Sequence, residues 1–333
     1  MKRLLLSIIL ILVLLSTNAQ SLNWRANAFG FADNREYNST VQIPQTILGI
    51  QFAPELFLVF DSVHTLNVGL NALKEFGSIN DVDKVNPYFY YALNSNSFDF
   101  HFGVFPRKKF HSDSPKAIYY DSLSYYRPYI SGLFWTYKKG GFKQSVYLDW
   151  TSRQTADQRE AFIIGGKGNY RHKMFFAENH LYMYHYAHTA ISHEDEHIRD
   201  NGVVVVTLGL NAAAHTFLDS LKLSLSGIKS FERERNVTDW RTPNGLILDF
   251  TIEYKGFGVS NTYYYGQGHR LDWGDPFYRL NKYNRTDIYY RLLRFKKVTG
   301  SFTYSLHYAE GGISHQQQFT FAVELSSGFN KRE

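Results

Sequence analysis

Leu246, Leu248, Phe250, Ile252 and Tyr254 alternate with Ile247, Asp249, Thr251 and Glu253; Lys255-Gly256 then turns the chain, and Phe257 and Val259 alternate with Gly258 and Ser260. Period-two alternation puts one side-chain set on each face of a strand. One face is apolar and ends in aromatic rings at the turn, while the other carries two carboxylates. In water the apolar face needs a second layer; a bilayer covers it directly. The rest of the chain decides between the two.

The N-terminus bears on that choice. Lys2 and Arg3 precede the apolar run Leu4 to Leu15, and Thr17-Asn18-Ala19 offers small residues for cleavage. This pattern reads as a secretory signal peptide whose core is too short to span a bilayer as a helix. The expected division is residues 1–20 as signal peptide and 21–333 as one domain. Cysteine is absent, so disulfides, thiolate sites and a cysteine-linked lipid anchor are excluded. Loss of Lys2 and Arg3 lowers the net charge from +6 to +4, too weak a bias to argue for nucleic acid.

Beyond residue 20 no apolar run is long enough for a transmembrane helix, yet 17% of residues are aromatic, with 25 Tyr and 27 Phe. Aromatic-rich alternation without helical spans is the signature of an all-β, transmembrane, antiparallel up-and-down β-barrel. A soluble β-sandwich is the competing class. Segments of about ten residues, the length a tilted strand needs to cross a bilayer, run from Leu22–Ala32 to Gln317–Phe329. About sixteen can be placed, with fourteen also compatible. Both ends then lie on the periplasmic side, with short periplasmic turns and longer outer loops.

The facing follows from cost. A charge on the lipid face near the midplane loses about 2–4 kcal/mol, so ionisable groups collect inside. Phe98, Phe100, Phe102 and Val104 should face lipid, as should Phe302, Tyr304, Leu306 and Tyr308. The expected lumen groups are Asp99, His101, Lys143, Asp149, Asp249, Glu253, Arg291 and His307.

With its signal-like N-terminus, about sixteen alternating strands, and short turns opposite long loops, the chain resembles the outer-membrane porins of Gram-negative bacteria. The resemblance implies a passive channel for small polar solutes or ions. It implies no enzymatic activity, cofactor or metal. Partners would be outer-membrane lipid and the insertion machinery, which reads a terminal aromatic residue; Phe329 keeps the outward phase, though four residues follow it. Porins of this size often form homotrimers, and no nucleic-acid partner is implied. Porins also fold the third outer loop into the barrel as a constriction. Here that loop is Pro106 to Pro128, carrying Arg107, Lys108, Lys109, Lys116 and Arg127 against Asp113 and Asp121. Such mixed charge would set a transverse field; a solvated surface loop is the alternative.

Two other readings stay open: an outer-membrane lipid or peptide hydrolase, and a non-channel barrel that docks partners. His193-Glu194-Asp195-Glu196-His197 matches the zinc-protease pattern, but in a short acidic loop without the helix that chemistry needs. His111-Ser112-Asp113-Ser114 suggests a lipid hydrolase, since outer-membrane phospholipases are barrels with His and Ser catalytic residues. Those residues sit on an outer wall, whereas these lie in a loop. Gly165-Gly166-Lys167-Gly168 reads as a strand-end turn, and His180, His185 and His188 as lumen or rim residues.

Overall fold

The computed structural model describes residues 21–191 and 196–327. The expected signal peptide, Phe329 and most of the 193–197 motif lie outside the described residues.

Sixteen strands follow in order: β1 (Ser21–Glu36), β2 (Gln45–Phe60), β3 (His64–Glu75), β4 (Lys84–Asn94), β5 (Phe98–Pro106), β6 (Tyr129–Lys139), β7 (Phe142–Ser152) and β8 (Ala161–His172). The second half is β9 (Phe175–Tyr186), β10 (Arg199–Asn211), β11 (Ser220–Glu234), β12 (Asn244–Tyr254), β13 (Phe257–Gly266), β14 (Lys282–Arg294), β15 (Val298–Ala309) and β16 (Gly312–Ser326). Each pairs antiparallel with its sequence neighbours, and β16 closes on β1. Closure leaves no unpaired edge, which a backbone in lipid requires.

Turns of two or three residues close one end of the ring, apart from the eight-residue connection between β10 and β11. Lys255 and Gly256 have φ of 51° and 84°, the left-handed pair that matches strand twist in a two-residue hairpin. At the other end the connections are longer, with one exception. β15 and β16 are joined by Glu310-Gly311 alone, where the alternation of turns and loops predicts a longer outer loop. The Glu310 carboxylate accepts from Ser39 Oγ at 2.8 Å and Thr40 N at 3.0 Å, so the first outer loop ties down over this short turn.

The glycine run 165–168 is not a strand-end turn. It lies within β8, where a Cβ on Gly165 would come 2.3 Å from the tip of Tyr147. The missing side chain makes room for a ring inside the barrel.

Alternation sorts the faces. Phe98, Phe102, Leu246, Leu248 and Phe302 stand exposed on the outer wall, while His101, Ser305 and His307 are buried inside. The hydrophobic core lies within the barrel. Two outer loops, 107–128 and 267–281, turn inward; the first carries two short helices, α1 (Lys108–His111) and α2 (Leu123–Tyr126). Phe110, Ile118, Tyr119, Leu271, Trp273 and Phe277 from the loops pack on Phe105, Ile130, Ile163, Val205 and Tyr264 from the wall. On the opposite side Tyr125 stacks on Phe31 with ring centroids 4.3 Å apart and packs with Ile47 and Leu73. This explains Ile247, an apolar residue on the inward face of β12: it belongs to the same core.

Candidate functional site

The inward loops are fastened to strands around the ring. Arg107 Nη2 meets Asp149 Oδ2 on β7 at 2.6 Å, Arg35 on β1 donates to Ser122 Oγ at 2.9 Å, and Gln51 on β2 donates to the Tyr125 carbonyl at 2.6 Å. Tyr126 reaches Glu75 on β3 at 2.7 Å, and Asn201 on β10 donates to the Arg270 carbonyl at 2.9 Å. The loops join each other through Tyr120 N to the Trp273 carbonyl, 2.9 Å, and Asp275 N to the Lys116 carbonyl, 2.9 Å. Together they form a plug across the outer half of the lumen.

Asp121, in the first plug loop, accepts from Lys116 Nζ at 2.6 and 2.7 Å and from Arg285 Nη1 at 3.4 Å. Burial acts to raise its pKa, but Lys116 and Arg285 hold it below the usual carboxylate range. A depressed carboxylate contributes stability that is present above its unfolded pKa and lost as pH falls through the folded value. Acidification below about pH 4 should therefore loosen the plug while the barrel persists. Hydrogen exchange in residues 107–128 should rise there, with strand protection unchanged; equal plug protection at neutral and acid pH would contradict this.

A second cluster lies on the outer wall near the loop end. Register places five residues side by side across five strands: Trp150 opposite Phe162, Phe162 opposite His185, His185 opposite Asp200, and Asp200 opposite Arg233. All share the phase of lipid-facing neighbours, such as Leu181 and Met183 on β9 and Val204 and Val206 on β10. His185 Nδ1 is 3.3 Å from Asp200 Oδ1. Arg235 grips the same carboxylate twice, at 2.7 and 3.0 Å, and Arg233 once at 3.1 Å. Phe162 lies against the imidazole and stacks on Trp150, and Trp240 covers the Arg233 guanidinium at 4.4 Å. These residues lie toward the loop ends of their strands, and charge on the lipid side costs least near the interface, about 0–1 kcal/mol. A buried carboxylate that accepts from one ring nitrogen fixes the tautomer and leaves Nε2 as a base.

Among solved structures, a loop L8 deletion mutant of OmpT, an outer membrane protein of Vibrio cholerae, superposes with a TM-score of 0.60 at 9% identity, over 92% of this chain and 100% of its own. The anion-selective porin from Comamonas acidovorans gives 0.55 at 12% identity, over 92% and 99%. In vitro folded OmpT in its trimer form gives 0.57 at 9% identity, over 92% and 100%. At such identities the likeness establishes the fold, an outer-membrane barrel of porin type. Comparison with curated proteins gives no match. The family model described as lipid A 3'-O-deacylase-type matches residues 14–331. The chain belongs to that family.

Membership in the lipid A 3'-O-deacylase-type family overturns the expectation of a non-enzymatic chain, because the family is one of enzymes. The contiguous motifs in the loops and lumen do not reveal this. A constellation on a barrel wall is spread over strands and leaves no such pattern. One signal was available: on β9 His185 shares the outward phase of two large apolar residues, an unusual place for an imidazole.

In this lipid A 3'-O-deacylase-type barrel the eight expected lumen residues lie on the inner face. Asp149 is buried against Arg107, and His307 against Tyr283, whose hydroxyl is 2.7 Å from Nδ1. His101 is buried beside Phe110, Glu253 pairs with Arg291 at 3.0 Å, Asp99 pairs with Lys138 at 2.8 Å, and Asp249 accepts from Thr262 at 2.5 Å. Lys143 stands exposed near the tight-turn end. In the loop, Arg107, Asp121, Lys116 and Asp113 form ion pairs, Lys108 lies over Phe29 at 4.9 Å, Lys109 over Phe110 at 5.8 Å, and Arg127 over Trp273 at 5.3 Å. These charges anchor a packed plug in place of an open constriction.

His111 Nδ1 lies 3.3 Å from Ser114 Oγ, but burial and the nearby Arg107 and Lys167 push the imidazole pKa down, and the pair sits inside the plug, away from lipid. Of the zinc-protease motif, Glu196 is occupied by Thr189 N at 2.9 Å. Among the described residues no group of three His, Asp or Glu is arranged to hold a metal.

Proposed function

We propose that this chain is an outer-membrane acyl-ester hydrolase acting on a glycolipid of the outer leaflet, with His185 as general base and Asp200 as its positioning residue. The row Trp150, Phe162, His185, Asp200 and Arg233 carries the reading, because it sets an imidazole beside a carboxylate on the outer wall near the loop end. Family membership supports the reaction class, and the plugged lumen supports an enzyme over a passive channel.

The chemistry balances with water alone. His185 Nε2 takes a proton from a water, whose oxygen attacks the ester carbonyl. The tetrahedral intermediate collapses, the carbon–oxygen bond to the sugar breaks, and the imidazolium returns its proton to the departing alkoxide. Arg233 and Arg235 supply positive potential for the oxyanion and for anionic groups of the lipid. Trp150, Phe162 and Trp240 seat acyl chains at the interface, where amphipathic rings are favoured.

Purified full-length protein in mixed micelles with an acylated glycolipid should release fatty acid, measured by mass spectrometry. His185→Ala should lower the rate about 10²–10⁴-fold, the range of general-base contributions, with the folded barrel's heat-modifiable mobility kept. A folded H185A that hydrolyses at the wild-type rate would remove His185 from the mechanism.

A further inference from the structure

Below the plug, at the tight-turn end, the lumen is polar. A cavity of about 120 Å³ is lined by Lys109, Ser112, Asp113, Lys143, Ser145 and Lys167 over a floor of Phe110 and Phe134. Three elements bring its ammonium groups together. Lys109 projects from α1, Lys143 is the second residue of β7, and Lys167 lies opposite Ser145 on β8. Three cations line the cavity with one carboxylate, Asp113, which pairs with Lys167; Glu178 on β9 also acts electrostatically on Lys167. Asp99 pairs with the neighbouring Lys138 at 2.8 Å, outside the cavity lining.

Among the described residues the other two cations form no ion pair. Lys109 has one polar contact, His101 Nε2 at 3.5 Å, and among the described residues Lys143 forms no hydrogen bond or ion pair. Partial burial pushes the Lys109 pKa down; Asp99 opposes this, while Arg25, Lys138 and Lys143 add to it. Like charges gathered around one cavity repel each other, and an anion between them relieves this.

We propose that this cavity binds inorganic phosphate from the periplasmic side, with Lys109, Lys143 and Lys167 as its cationic donors. The cavity has room for a tetrahedral oxyanion, and phosphate offers several strong acceptor oxygens to three point-charge donors.

Titration calorimetry of the full chain, folded in neutral detergent, tests this with sodium phosphate against sodium chloride at matched ionic strength. Saturable phosphate binding that chloride does not reproduce is expected. Lys143→Ala and Lys109→Ala should each weaken it about tenfold, the double variant about a hundredfold, and Lys143→Arg only slightly. Lys255→Ala, at a distant turn, should leave it unchanged. Absence of saturable phosphate binding at millimolar concentrations by wild type would overturn the site. So would a double variant that keeps heat-modifiable mobility and binds phosphate as the wild type does.

Discussion

In planar bilayers the intact barrel should give no unitary conductance, and a variant with residues 108–126 replaced by a short Gly/Ser linker should conduct. Sixteen strands enclose a bore wide enough for an aqueous channel when loops leave it free. Here Phe110, Ile118, Tyr119 and Tyr125 fill it from one loop, and Leu271, Trp273 and Phe277 from the other. Removing the first loop exposes the inward charges Asp149, Arg285 and the Asp33–Arg35 pair to water, which wets the bore. The ring should survive, because its backbone ladder does not involve the loop. Steady wild-type channels would show that the plug is not a seal, and would return the chain to the passive-channel reading.

The second large effect concerns stability. Asp149 is 1% exposed and accepts from Arg107 Nη2 at 2.6 Å and Ser131 N at 3.0 Å. Arg107 is itself buried, donates to the carbonyls of Arg127 at 2.8 Å and Tyr129 at 2.6 Å, and lies over Trp273 at 5.1 Å. Asp149→Asn leaves that guanidinium without a counter-charge, which costs about 3–5 kcal/mol for a buried pair broken on one side. The urea midpoint in detergent should fall accordingly, with little change in slope if the ring still unfolds as one unit. Adding Arg107→Met should recover much of the loss, since removing both charges is far less harmful than stranding one. A D149N barrel as stable as wild type would mean that water reaches Arg107 and the plug is looser than its packing implies.

Much of the architecture is legible in the residues. The alternation of Phe98 to Val104 and of Phe302 to Tyr308 assigns each side chain to a face before any fold is known. Ile247 is an apolar residue in an inward phase otherwise held by Asp249, Thr251 and Glu253, and its reason lies in the fold, where it joins the core that the loops fill. The second plug loop was hidden for a related reason. Its Leu271, Trp273 and Phe277 are spaced irregularly, so no period announces where they go.

The candidate site was hidden more deeply. His185, Asp200 and Arg233 lie on three different strands, and nothing in the local sequence around any of them announces the other two. Their meeting depends on the register of β9, β10 and β11, and a slip of one residue would turn each to the opposite face.

By itself the sequence determined the barrel class, the up-and-down order and the facing of the wall, and narrowed the strand count to fourteen or sixteen. These follow from a local period of two and from the cost of charge in lipid, both of which each segment expresses alone. Only the tertiary structure decided that two loops fill the lumen, that three lysines face one cavity below them, and that an imidazole and a carboxylate meet on the outer wall. Those outcomes depend on closure and inter-strand register, which join residues far apart in the chain through backbone hydrogen bonds that carry no side-chain label.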